Sequence, residues 1–213
     1  MVRVLAAVLT CALLVPAGDL KKSEAGNALN ELRYTPDGQM KFPEHYREWI
    51  YLTSGLGMSY TPGAATDHPM FDNVFVNPTA YKAFLSTGTW PDGTVLVLEL
   101  RGSETKASID QRGSSQSAGV MGVEVHVRDA RLPAMWGFFE FGDGAATAKM
   151  TPRPASCYTC HEAHAAVDTT FVQFYPTLIG VAKKKKTLSA AYLAEMPGAK
   201  AGSEASGVRL KRY

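Results

Sequence analysis

The chain has 213 residues, of which 46% are hydrophobic and 20% charged, and 22 Lys and Arg offset 20 Asp and Glu to a formal net charge of +2. That length supports one ordinary domain with its own core. So even a charge balance gives no electrostatic footprint for a nucleic acid and no general attraction to an acidic partner.

The N-terminus reads as a targeting segment. Met1, Val2 and Arg3 make a short positive start, and residues 4–15 form a nearly unbroken apolar run of 12 residues. A bilayer-spanning helix needs about 20 such residues. Val15, Pro16 and Ala17 then offer small residues for cleavage before polar Gly18 and Asp19. Residues 1–17 are therefore expected to be a signal peptide, which sends the mature chain to the periplasm with no membrane span. Cys11 leaves with that segment, so the mature chain keeps Cys157 and Cys160. The expected division is an extension over 18–40, a domain over 41–182, and a basic run with a flexible tail over 183–213.

Pro43 near its start predicts a first helix over 43–52. Residues 70–76 alternate as a strand, with Phe71, Asn73 and Phe75 on one face. Asn77 is placed to cap a helix that begins at Pro78 and ends at Gly88, with Tyr81, Phe84 and Leu85 forming its apolar stripe. Pro91, Asp92 and Gly93 signal a turn. Residues 94–100 then put Leu96, Leu98 and Leu100 on one face and Val95, Val97 and Glu99 on the other. In 122–128, Val123, Val125 and Val127 oppose Glu124, His126 and Arg128; in 135–141, Phe139 and Phe141 oppose Trp136, Phe138 and Glu140. Most connections are too short for parallel crossovers, so the predicted fold is α+β, a predominantly antiparallel sheet with a few helices.

Residues 157–161 read Cys-Tyr-Thr-Cys-His, the C-x-x-C-H pattern of covalent c-type haem attachment. On a helix, Cys157 and Cys160 share a face and can meet the two vinyl groups along one porphyrin edge, while His161 directs an imidazole at the iron. A thioredoxin-like dithiol would instead open a helix after a buried strand, whereas this motif follows Thr151, Pro152, Arg153 and Pro154. A zinc site would need more ligands than nearby His164 supplies. The motif predicts one covalent haem c on a C-terminal helix. Fifty-two residues follow His161 and Met196 is the only methionine among them, unlike a small helical electron-transfer cytochrome. A four-helix bundle is excluded by the lack of long helical periodicity over 90–150.

The chain resembles the cytochrome P-460 and cytochrome c′-beta family from about Phe42 to about Leu178. The marks are Tyr46-Arg47-Glu48-Trp49, Val74-Phe75-Val76-Asn77-Pro78 with Tyr81, Asp92-Gly93-Thr94 leading to a strand that ends at Leu100, Met121-Gly122-Val123-Glu124, Trp136, the haem motif, Phe171 and Phe174-Tyr175-Pro176. The resemblance implies a β-rich, commonly homodimeric protein. Its haem iron would be five-coordinate, with His161 on the proximal side and the distal side open to a small gaseous or nitrogen-oxide ligand. One branch oxidises hydroxylamine through a lysine cross-linked to the porphyrin; the other lacks the cross-link and binds nitric oxide or carbon monoxide.

By that resemblance the cross-linking position falls at Leu98, which has no nucleophile, and no lysine occurs between Lys82 and Lys106. The expectation is therefore a gas-binding cytochrome, with a hydroxylamine-oxidising enzyme and a periplasmic electron carrier as the alternatives. Leu98, Phe71 and Phe75 are the expected distal-pocket residues, each also readable as sheet core, with Leu96 as a further wall. Glu124 is the candidate proton relay, or a solvated strand residue. His126 is disfavoured as a sixth ligand, and His164 is expected at the haem edge or in solvent. Lys183, Lys184, Lys185 and Lys186 form a solvated basic face or a docking site for a redox partner.

Overall fold

The computed structural model describes residues 32–60, 68–106 and 108–196. The expected signal peptide, most of the extension and the tail beyond 196 lie outside the described residues. All described residues belong to one unit, which spans 32–213.

Its centre is a five-stranded antiparallel sheet in the order β2-β3-β4-β5-β6. The strands are β2 (Ile50–Leu56), β3 (Phe71–Val76), β4 (Thr94–Glu104), β5 (Ser115–Arg128) and β6 (Trp136–Phe141). Short β1 (Met40–Lys41) and β7 (Thr147–Ala148) pair separately. Among the described residues four α-helices accompany the sheets: α1 (Pro78–Thr87), α2 (Ser156–His164), α3 (Ile179–Lys185) and α4 (Ala190–Glu195). The expected α+β class and antiparallel sheet are both present.

Two local expectations fail for identifiable reasons. The first helix is only a 3₁₀ turn, Tyr46–Glu48, and Trp49 is already extended. Ile50 and Tyr51 pair with Val76 and Phe75, so sheet pairing claims the β-branched and aromatic residues that follow the turn. Asn77 precedes α1 but makes no side-chain cap. Its amide donates to the Gly93 carbonyl at 3.0 Å and its side-chain oxygen accepts from the Val95 backbone N–H at 3.0 Å. It ties the start of α1 to β4. Gly88 ends α1 as expected, in the left-handed conformation at φ 80°.

Strand alternation divides the core between the two sheet faces. Val95, Val97, Val123, Val125, Val127, Phe139 and Phe141 pack with Met40, Tyr46 and Ala148. On the other face, Val76, Leu96 and Trp136 pack with Ala80 and Phe84 of α1 and with Val172, Leu178 and Ala182. The Phe84 and Trp90 rings lie 4.4 Å apart. Burying each such large side chain contributes about 1.5–3 kcal/mol. After the basic run, α4 returns to the body of the protein: the Ser189 N–H donates to the Ala166 carbonyl at 2.8 Å.

Glu99 is a buried carboxylate, 2% exposed, on the first of these faces. It accepts from the Tyr46 hydroxyl, from Arg47 Nε at 2.8 Å and from Arg101 Nε. Burial opposes its ionisation, but the hydrogen bonds from Arg101, Tyr46 and Arg47, with the Arg47 charge, prevail and hold its pKa at about 2. Because the folded pKa lies below the unfolded one, this stabilisation is complete above roughly pH 4.5 and is lost as pH falls towards 2. At neutral pH, Glu99→Gln is expected to destabilise the fold by ~3 kcal/mol. In chemical denaturation at stepped pH, the gap between wild type and variant should close on acidification through that window.

Candidate functional site

Helix α2 carries the C-x-x-C-H motif. Its N-cap, Ala155, is extended, as N-cap residues typically are. Tyr158, inside the motif, is buried and anchors the helix to the sheet edge. Its hydroxyl donates to the Thr151 carbonyl at 2.9 Å, and its ring meets Phe138 edge-on at 4.9 Å. Beside it Cys157, Cys160 and His161 are partly exposed. Both cysteines are free thiols of intermediate exposure, and burial raises the Cys157 pKa.

His161 is held by one bond and three rings. Its Nδ1 lies 2.7 Å from the Thr169 carbonyl oxygen. A carbonyl only accepts, so Nδ1 carries the proton and Nε2 keeps its lone pair. The ring sits 4.1 Å from Phe171, 4.7 Å from Phe138 and 5.0 Å from His126. Burial lowers its pKa, against the opposing pull of the Thr169 carbonyl. The Thr169 carbonyl is aimed by a tight turn. Val167 and Thr170 form a bridge across it, Asp168 adopts φ 52°, and the Thr170 hydroxyl accepts from the Trp90 indole at 2.7 Å while donating to Val167 at 2.8 Å.

The sheet beside α2 supplies an apolar surface. In register across it run Val74, Leu98, Glu124 and Glu140. The next row inward is Val76, Leu96, His126 and Phe138. In the inward row Val76, Leu96 and His126 are buried, whereas Val74 and Leu98 are only half-buried and Glu124 is exposed. Tyr60 lies near this surface, its ring 5.9 Å from Phe171. Asp72 shares the face, and burial raises its pKa. Although the Glu124 side chain reaches solvent, the sheet face that partly desolvates its carboxyl raises its pKa, reinforced by the charges of Glu140 and Asp72.

The sheet therefore puts Leu98, Leu96 and Glu124 on the face that carries His126 and meets His161. Phe71 and Phe75, expected beside them, do not join them. Alternation puts both on the opposite face, where the Phe75 ring packs 5.6 Å from Tyr46 and 5.7 Å from Tyr51. Their residue type suited a pocket cap, but their parity along β3 excludes it. His126 is buried behind His161. His164 is exposed and pairs with Glu195 of α4. Thr169, Phe138, Tyr60 and Asp72 are site residues that sequence reasoning did not single out. For Phe138 and Asp72 the strand period held the signal; for Thr169 only the Val167–Thr170 turn reveals its part.

The donor set fits a porphyrin. Two free thiols on one helix, an imidazole with Nε2 unengaged and an adjacent half-exposed aliphatic surface are the groups that such a macrocycle needs. The alternatives lack their frames. No group of three or more His, Cys, Asp or Glu among the described residues could hold a metal ion. The antiparallel sheet offers no βαβ unit for a redox dithiol. A separate cavity of about 380 Å³, lined by Phe42, Tyr46, Arg47, Met121, Val123 and Phe141, opens on the far face of the sheet and contains neither thiol nor imidazole.

Among known protein families, the family model described as Cytochrome P460 matches residues 43–172. No curated protein matches the chain. Among the described residues no helix is long and apolar enough to cross a membrane.

Because neighbouring negative charge helps to raise the Glu124 pKa, Asp72→Asn should lower it. Carboxyl-carbon NMR titration of the full chain reads this directly, and an unmoved Glu124 would show that the two acids do not sense each other.

Proposed function

The chain belongs to the cytochrome P460 family, a haem-binding family, and from that premise we propose that it is an exported mono-haem c-type cytochrome that binds nitric oxide or a related nitrogen oxide. The haem domain corresponds to residues 41–182. In this reading Cys157 and Cys160 hold the macrocycle covalently and His161 Nε2 ligates the iron. When bound, the haem supplies an iron with one position open to a small ligand.

The observation that carries this reading is Leu98. By the family resemblance it falls at the position that the hydroxylamine-oxidising branch fills with a cross-linking lysine. It lies half-buried on the sheet face that meets His161. An aliphatic side chain there can exclude water and repel polar ligands, but it cannot form a bond to the ring. Val74, beside it in register, extends the same apolar wall. The Thr169 carbonyl keeps Nδ1–H donated and so directs Nε2 outward as the donor atom. Phe138 and Phe171 hold the imidazole plane by packing against it.

Glu124 favours a second reading, oxidation of hydroxylamine or a related nitrogen species. Its pKa is raised on the same face, so it holds a proton more readily than a free glutamate does, as a proton relay requires. The family commonly forms homodimers, and a homodimer with a separate redox partner is our expectation for this chain.

The purified protein, made with an intact haem-maturation system, should be heavier than the polypeptide by one haem and keep that mass through denaturation. Reduced spectra should shift on adding carbon monoxide or nitric oxide. A six-coordinate reduced form that ignores both would instead identify an electron carrier, and turnover of hydroxylamine would identify the enzyme. Leu98→Lys should change the reduced spectrum, because it brings an amine to the ring. An unchanged spectrum would remove Leu98 from the pocket.

A further inference from the structure

A buried histidine stands directly behind the proposed iron ligand. His126, in β5, is 8% exposed. Its ring lies flat on Phe138, with centroids 4.0 Å apart and 12° between planes. It meets His161 nearly perpendicularly, at 5.0 Å and 79°. Its Nε2 is 3.2 Å from the Thr169 hydroxyl. The same Thr169 offers its carbonyl to His161 Nδ1 at 2.7 Å. One residue is thus held at its side chain by one imidazole and holds the other through its backbone.

An imidazole at this place needs a reason. Its neighbours in register are Leu96 and Phe138, and burying a polar ring among apolar groups is costly unless it is hydrogen-bonded. Its bond goes to the one residue whose carbonyl orients the ligand. We propose that His126 is a positioning residue for the proximal ligand: through the Thr169 hydroxyl and its own ring edge it fixes the carbonyl that holds His161 Nδ1–H, and so sets the donor strength of His161 Nε2. The inference rests on His161 being the iron ligand. A hydrogen bond to the distant ring nitrogen makes a metal-bound imidazole a stronger donor, and donor strength is one of the protein's levers on the iron's potential. His126 touches neither the iron nor the incoming ligand in this arrangement; it acts only through Thr169 and the orientation of His161.

The test is a double-mutant cycle on the haem-loaded full chain with His126→Phe, Thr169→Val and both together, and with His126→Gln as the conservative variant. The readouts are the iron–histidine stretching vibration of the reduced protein, the reduction potential and thermal unfolding. Each single variant is expected to lower the stretching frequency and raise the potential. The double variant should shift neither beyond the larger single effect, because both changes break one link. His126→Gln, which keeps a hydrogen-bonding group, should retain more of the wild-type values than His126→Phe. Additive shifts, an unchanged vibration in His126→Phe, or equal behaviour of the Gln and Phe variants would overturn the proposal and leave His126 as core packing. Should His126→Phe fail to fold, Thr169→Val carries the same test, since it deletes only a hydroxyl; an unchanged vibration there overturns it. A wild-type protein that carries no haem overturns the haem reading and this inference together, a haem-loaded wild type with no iron–histidine vibration overturns the five-coordinate ligation on which this inference rests, and a wild type that shows the vibration beside inert variants overturns the positioning role alone.

Discussion

A strand side chain has two directions open to it, and successive residues must take opposite ones. Most of the architecture follows from applying that constraint to five paired strands. Val95, Val97, Val123, Val125 and Val127 all turn to the side covered by Tyr46, Met40 and Ala148. Leu96, Leu98, Glu124 and His126 must therefore turn to the other. Helices cover that second face unevenly. The row through Val76, Leu96 and His126 is buried, while the row through Val74, Leu98 and Glu124 remains partly open beside α2. The surface suited to a flat macrocycle is what remains after α1, α3 and the 167–178 segment have covered the rest.

Into this frame the chain places a site whose reactive groups are local in sequence. Cys157, Cys160 and His161 occupy little more than one helical turn, and the carbonyl that orients His161 comes eight residues later. Locality makes the donor set easy to form, because little loop entropy is lost in assembling it. Direction is another matter. Tyr158 anchors α2 against Phe138 of β6, Trp90 pins the turn through Thr170, and His126 of β5 meets both Thr169 and His161. Three distant segments thus hold a short motif at one orientation. Preorganisation of this kind would hold the His161 imidazole at one orientation towards a bound haem.

Much of this was legible before any coordinates. The strand segments at 71–76, 94–100, 122–128 and 136–141, the helix from Pro78 to Gly88 and the antiparallel pairing all follow from period and turn chemistry, whereas the extensions of β4 to Glu104 and of β5 back to Ser115 do not. The failures share a cause. At 43–52 the local signals favoured a helix, but β3 offered Ile50 and Tyr51 a pairing partner that no local window contains. Asn77 had the right type and place for a cap, yet two backbone groups of the 93–95 segment compete successfully for its amide. Phe71 and Phe75 were recognised as aromatic and strand-borne. Which face they share with what depends on the register of β3 with β4, and that register turns them away from Leu98.

By itself the sequence determined the chemistry: two thiols and an imidazole at haem-attachment spacing, and a strand-rich frame to carry them. Those are properties of residue identity and short-range periodicity, and no folding can alter them. Only the tertiary structure decided which surface the motif faces, which nitrogen of His161 is engaged, and that His126 stands behind it through Thr169. Each of these depends on contacts between segments far apart in the chain, and their geometry is settled by packing and strand register.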